Sequence, residues 1–308
     1  MGSEAIVFAL KAQKMAKANA ERFVYVQKIF SNKIYVWLPV RGTTWWTRYD
    51  LRLFVDSTIN LNAWRIYTIE FLQIAEGEPV PTATQTNILN PISAGANFEY
   101  AIRIQGATDY FGGQHGDEVL QNVGFVVDGK LTPISSLTSH KCRQFDLVQQ
   151  SVTYSPLDGT SKAGDMNCRW IFKPGEMNLQ WKHVWASPFT VDLAYGAMLP
   201  AQRGGSSSNR CRYLDEAVEN NISTSGHALA GRNSTGIVLY NTTNNLQMSV
   251  EFQDAAFFNG FKNSAGKGIW VYDGTYNKVY PSRVYTPSTE TIVAGDIWML
   301  NAKFTLSS

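Results

Sequence analysis

Val123-Gly124-Phe125-Val126-Val127, then Asp128-Gly129, then Lys130-Leu131-Thr132 is the stretch on which the fold turns. Two runs rich in β-forming residues flank an Asp-Gly pair. Asp-Gly favours the type I′ turn, whose two left-handed residues match the twist of a hairpin. The pattern continues downstream through Gln144 to Tyr154, Cys168 to Lys173, Asn178 to Ala186 and Phe189 to Met198, with Pro174-Gly175-Glu176 as a turn. It resumes at Thr235 to Asn241, Leu246 to Phe252, Gly268 to Tyr272, Lys278 to Tyr280 and Gly295 to Thr305. Upstream, Phe98 to Ile104, Trp64 to Phe71, Leu51 to Val55 and the alternating Val24 to Leu38 also read as strands. One helical turn is expected at Asp215 to Asn220. Many short strands between turn signals, with few helices, predict a mainly β protein, an antiparallel β-sandwich or jelly roll.

A short N-terminal helix is expected over residues 3 to 23. Ala5, Phe8, Ala9, Ala12, Met15 and Ala16 fall near helical spacing, and Ser3 suits the N-cap. Residues 76 to 95 are rich in Pro, Thr and Asn and read as a linker or long loop. The expected organisation is therefore an attachment region of helix plus β (1–75), the linker (76–95) and a glycan-binding or glycan-cleaving β-sandwich (96–308).

The chain has 308 residues, of which 44% are hydrophobic and only 17% charged. The aromatic share of 13% suits pleated strands and also sugar binding, because a flat ring can cover the apolar face of a pyranose. A net charge of +2 disfavours wholesale nucleic-acid binding, which needs clustered Lys and Arg. No apolar run approaches the ~20 residues that cross a bilayer, so membrane insertion is not expected. No secretory signal is evident. The three cysteines, Cys142, Cys168 and Cys211, have no zinc-ligand spacing and are expected as free buried thiols.

Chemistry is expected around Tyr110-Phe111-Gly112-Gly113-Gln114-His115-Gly116-Asp117-Glu118. An imidazole, an amide and two carboxylates lie within five residues between glycines, and the whole chain has four histidines. A hairpin turn with a surface histidine is the competing reading. Distant strands of a sandwich meet on one face, so Arg103, Gln114, His115, His183 and Tyr195 are the candidate catalytic set. These types suit β-elimination of a uronic-acid polymer: a His or Tyr base for the C5 proton, Arg or Gln at the carboxylate and a Tyr acid. For His183, between Trp181 and Trp185, a hydrogen-bonded core position competes. Glu118 and His140 are candidate substrate-binding groups. So are Trp45 and Trp46, which as strand neighbours face opposite sides, leaving one for sugar stacking. No metal or cofactor is expected, since no ligand spacing, P-loop or dinucleotide fingerprint occurs.

The 110–118 run, the Phe125-Val126-Val127-Asp128-Gly129-Lys130 hairpin and Trp170-Ile171-Phe172-Lys173-Pro174-Gly175-Glu176-Met177-Asn178-Leu179 leading to Tyr195-Gly196-Ala197-Met198-Leu199-Pro200 resemble segments of bacteriophage tail-associated proteins. The resemblance covers roughly residues 96 to 202. It implies a tail fibre or tailspike-type receptor-binding protein, a trimer in the virion, made in the host cytoplasm, with a β-rich domain that binds or cleaves bacterial surface polysaccharide. The Gln-His pair also looks like the Gln-x-His element of jelly-roll polysaccharide lyases, without the intervening residue. The expected function is recognition of a surface polysaccharide, with depolymerase activity by β-elimination centred on His115. A non-enzymatic structural or adhesive virion component and a free bacterial polysaccharide lyase are the alternatives.

Overall fold

The computed structural model describes residues 22–40, 43, 45–73, 88–92, 98–202, 208–224, 232–243, 246–253, 257, 268–273 and 276–307. β1 (Val24–Phe30), β2 (Lys33–Pro39), β3 (Trp45–Asp56) and β4 (Leu61–Gln73) form an antiparallel meander. β5 (Ile88–Ile92) pairs with β4, and β6 (Tyr100–Ile104) joins a different sheet. β7 (Glu118–Val127) and β8 (Lys130–Leu131) make the Asp-Gly hairpin. Asp128 (φ 48°) and Gly129 (φ 80°) are both left-handed, as the type I′ turn requires. β9 (His140–Cys142), β10 (Phe145–Tyr154), β11 (Lys162–Lys173), β12 (Glu176–Trp185), β13 (Phe189–Gly196) and β14 (Leu199–Gln202) follow. Then come β15 (Arg210–Tyr213), β16 (Asn220–Asn221), β17 (Gly236–Tyr240), β18 (Gln247–Phe252), β19 (Ile269–Asp273), β20 (Tyr276–Val284), β21 (Glu290–Ile292) and β22 (Ile297–Ser307).

Sixteen of these strands form one sheet, whose main path runs β16-β15-β17-β18-β22-β12-β11-β10-β7-β4-β3-β2-β1-β9. The other six, β6, β13, β14, β19, β20 and β21, form the second. One hydrophobic core packs between them, drawing Ile66, Leu147, Trp170 and Phe304 from the large sheet and Ile102, Val191, Leu199 and Val279 from the small one. β12 shows why: Met177, Leu179, Trp181, His183 and Trp185 alternate inward with period two. The protein is a β-sandwich; among the described residues it is antiparallel but for one short parallel pairing, Leu61 and Asn62 of β4 against Glu118 and Val119 of β7.

Three expectations change here. Residues 76–87 and 93–95 of the expected linker lie outside the described residues, and the strands before and after it share one sandwich, since β4 pairs with β7 and the core includes Val24 and Leu306 alike. Within that segment, residues 88–92 form a strand instead of a loop. Asp215 to Asn220 is not helical: the Asp215 carboxylate accepts a hydrogen bond from Ser234 (2.6 Å), and extended chain leads into β16. The helix over residues 3 to 23 lies outside the described residues except for its last two, which precede β1 as turn and coil. Among the described residues, no helix is long and apolar enough to cross a membrane.

Candidate functional site

The Gly-rich segment before β7 leaves the core and reaches the outer face of the six-stranded sheet. Phe111 bridges to Ile102 of β6 through two backbone hydrogen bonds (2.9 and 3.0 Å). Gly112 and Gly116 then close a tight loop, Gly112 N–H donating to Gly116 C=O (3.0 Å). Both need glycine: φ is +88° and +98°, and a Cβ would lie 2.1 Å from the Tyr100 ring or 1.9 Å from the Ile59 carbonyl. From beneath, the buried Arg65 guanidinium donates to the Gly113 carbonyl (3.0 Å) and pairs with the Glu118 carboxylate. Tyr100, Gln149 and Ser151 donate to the same carboxylate.

His115 emerges on the outer side. Its Nδ1 lies 2.9 Å from Asp109 Oδ1, and its ring is 4.8 Å from that of Tyr110. A carboxylate only accepts, so Nδ1 carries the proton, and in the neutral ring Nε2 is the acceptor. Burial pulls the His115 pKa down, against the opposing pull of Asp109, and favours the neutral ring.

Beside it lies a second apolar cluster, apart from the main core. Ala101, Leu193, Tyr195 and Met198 are buried, and Tyr110, Trp270, Tyr280 and Tyr285 pack half-buried on them. Strand register explains the grouping. Trp270 of β19 is the cross-strand partner of Tyr280 of β20, and their rings stack at 4.7 Å and 16°. Tyr195 of β13 meets Tyr280 edge-on at 4.7 Å. Trp270 Nε1 donates to Ser282 Oγ (2.9 Å), which fixes the indole. A bulge in β13 opposite β6 inserts Asp192 between Val191 and Leu193 and turns its carboxylate onto this face. There Arg103 donates to both Asp192 oxygens (2.9 and 3.0 Å) while lying 5.7 Å from the Tyr110 ring centroid. Burial pushes the Tyr195 phenol well above its ordinary range, and its ring lies 6.2 Å from that of Tyr110.

Of the expected residues, Arg103, Gln114, His115 and Tyr195 lie on this face or in its loop. The others lie elsewhere. His183 is fully buried between Phe111 and Trp185, with Nε2 2.8 Å from the Thr153 hydroxyl, and desolvation depresses its pKa to about 3. Glu118 points into the core instead of converging with His115. His140 sits on β9, a terminal strand of the large sheet, with Nε2 2.6 Å from the Ser136 carbonyl. Trp45 and Trp46 do face opposite sides, but Trp46 is buried against Tyr25 and Trp45 packs on the main core, so neither is a free platform. Asp109, Asp192, Tyr280, Tyr285 and Lys278 were missed. The alternating Trp270-Val271-Tyr272 and Lys278-Val279-Tyr280 runs were the available signal for the last part of this group. All three cysteines are free and buried.

No protein-family model matches the chain, and no curated protein matches it in sequence. Among solved structures, the galactosidase domain of the α-galactosidase–sucrose kinase AgaSK aligns over 92% of this chain at 8% identity, with a TM-score of 0.47. The GH36 α-galactosidase AgaB from Geobacillus stearothermophilus aligns over 92% at 8% identity, with a TM-score of 0.46. The chain spans 41% of the length of each. A galactose mutarotase-related enzyme from Lactobacillus acidophilus aligns over 92% of this chain and 97% of its own, at 13% identity and a TM-score of 0.35. These are likenesses in the course of the chain, and no residue role is carried across.

Proposed function

We propose that the aromatic face of the six-stranded sheet binds a bacterial surface polysaccharide, and that the chain acts as a recognition protein of a phage tail. The observation that carries the binding part is the Trp270–Tyr280 stack, fixed by Ser282 and extended by half-buried Tyr285 and Tyr110. Rings held by packing lose little side-chain entropy on binding, and they offer apolar surface to a sugar ring. Arg103, Asp192 and His115 supply polar groups for hydroxyls at its border. The virion setting, trimeric assembly and contacts with other virion proteins belong to the same proposal and are supported by the sequence resemblance.

Binding is favoured over β-elimination. Elimination needs a cation, a base and an acid grouped at the scissile bond, and Arg103, the cation expected beside His115, is already neutralised by Asp192. It also calls for an acid free to meet the leaving oxygen, whereas the Tyr195 ring is enclosed by those of Tyr110, Trp270 and Tyr280. Neutral His115 is the feature that suits a base.

The test is titration of the purified chain against bacterial polysaccharides, with ultraviolet absorbance and reducing ends followed in parallel. Trp270→Ala is expected to weaken binding about tenfold or more, as truncation of a central aromatic anchor does. Met299→Ala, at an exposed position on the large sheet, is expected to leave it unchanged. Equal binding by Trp270→Ala and the parent would refute this face as the site. Unsaturated products would refute the non-catalytic reading.

A further inference from the structure

The charges on this face are unevenly matched. Arg103 is paired with Asp192, and Arg283, on the inner side of β20, is paired with Glu290 at 2.7 Å. Lys278 has no carboxylate within ion-pair distance among the described residues. It alternates with core-facing Val279 and so shares the outer face with Tyr280 and Ser282, between cross-strand neighbours Pro200 and Tyr272. It is 8% exposed, and its ammonium lies 4.9 Å from the Tyr280 ring centroid. The titratable groups around it are Tyr280 on its own strand, His115 from the loop and Glu99 from the chain before β6. Glu99 is engaged elsewhere: it accepts from the Ile66 N–H (3.0 Å) and lies 3.9 Å from Arg65. A lysine largely withdrawn from water with no ion-pair partner is unfavourable, and an aliphatic residue would fill the same strand position without that penalty. The charge has a use if an anion arrives.

We propose that the glycan bound here is acidic, and that Lys278 recognises the carboxylate of a uronic-acid residue whose ring lies on Trp270 and Tyr280. The inference rests on the glycan-binding reading above. Tyr280 is common to both contacts: its ring centroid lies 4.7 Å from that of Trp270 and 4.9 Å from the Lys278 ammonium. A single hexuronate spans that arrangement, its ring on the aromatic surface and its C5 carboxylate at the ammonium. Arg103 is less suited to this role, because its charge is already neutralised by Asp192, which accepts from Nε and Nη2.

The experiment uses the full chain with polygalacturonate, alginate and hyaluronan, each beside its carboxyl-reduced counterpart, and with Lys278→Met and Lys278→Arg. The parent protein is expected to bind at least one native polymer about tenfold more tightly than its reduced form, as one charge-assisted contact allows. Lys278→Met is expected to erase that preference while keeping the affinity for the reduced polymer, and Lys278→Arg to retain most of it. Unfolding midpoints establish that both variants are folded. A preference that survives in Lys278→Met overturns the proposal. Equal binding of native and reduced polymers, both lost in Trp270→Ala, overturns it and leaves the glycan-binding reading in place. Absence of binding to every polymer removes both.

Discussion

Replacing Lys278 by Met should stabilise the protein even as it damages recognition. Desolvation lowers the Lys278 pKa from 10.5 to about 8, partly offset by the field of Glu99. At about 1.4 kcal/mol for each tenfold, that gap corresponds to about 3 kcal/mol of folding free energy lost by holding the ammonium in the fold at neutral pH. The sign follows from the charged form being the disfavoured one. Above pH 10.5 the amine is neutral in both folded and unfolded chains, and the penalty vanishes. It grows as pH falls from 10.5 to 8 and stays constant below. Methionine has a similar length and no charge, so Lys278→Met removes the penalty. For a chain of 308 residues the gain amounts to roughly 5 °C in unfolding temperature. Urea unfolding of both proteins at pH 7.5 and 10.5 checks it, and other titrations cancel in the difference. The variant should be more stable by about 3 kcal/mol at pH 7.5, with the gap shrinking towards zero at the higher pH. A variant that is less stable, or a gap independent of pH, would refute desolvation of Lys278 as the cause. An acidic glycan should raise the stability of the parent more than that of the variant.

Two further outcomes test the loop and the core. Gly116→Ala should destabilise by about 3 kcal/mol or more, because φ is +98° and the new Cβ would sit 1.9 Å from the Ile59 carbonyl. Gly129→Ala, also left-handed but with nothing within 4 Å, should lose only about 1 kcal/mol, and equal losses in urea titrations would rule out steric anchoring of the loop. For His183, burial lowers the pKa from 6.5 to about 3, so stability present above pH 6.5 is lost as pH falls towards 3. The loss is about 2 kcal/mol between pH 7.5 and 5. The stability difference between the parent and His183→Phe should change by that amount on acidification, and a difference that stays flat from pH 7.5 to 5 contradicts a neutral buried imidazole.

The strands were legible wherever a local rule sufficed. Asp128-Gly129 specified its turn through φ alone, and Pro174-Gly175 joined β11 to β12 in the same way. Alternation in β12 marked its buried residues. Failures came where a distant partner decides. Glu118 reads as a polar loop residue until Arg65, 53 positions earlier, is placed beside it. Asp192 reaches Arg103 only because β13 carries a bulge, which no local residue choice announced. Trp46 has an exposed-looking neighbourhood in Arg41-Gly42-Thr43-Thr44, yet lies against Tyr25 from another strand. The aromatic face was half visible, because Arg103, His115 and Tyr195 were named from their chemistry. Trp270, Tyr280 and Lys278 come from strands about 75 to 85 residues beyond Tyr195, and register alone brings them together.

The two charged residues of the Gly-rich segment show how the sandwich builds its face from its interior. His115 and Glu118 are three positions apart, and a single turn sends one outward and the other inward. The inward carboxylate is tied to Arg65, and Arg65 also holds the Gly113 carbonyl. Asp117 and Glu118 N–H groups donate to the Ile59 and Asn60 carbonyls (2.8 and 3.1 Å), and Tyr154 N–H donates to Asp117 (2.8 Å). The loop is thus gripped by β4, by the turn before it and by the end of β10. A site gripped by rigid strands keeps its geometry before the ligand arrives, which lowers the ordering that binding must overcome. Removing one partner of a buried ion pair is strongly destabilising, since it strands the other charge. The outward position of His115 is therefore set by Arg65 and Glu118, two residues that never reach the face that carries His115.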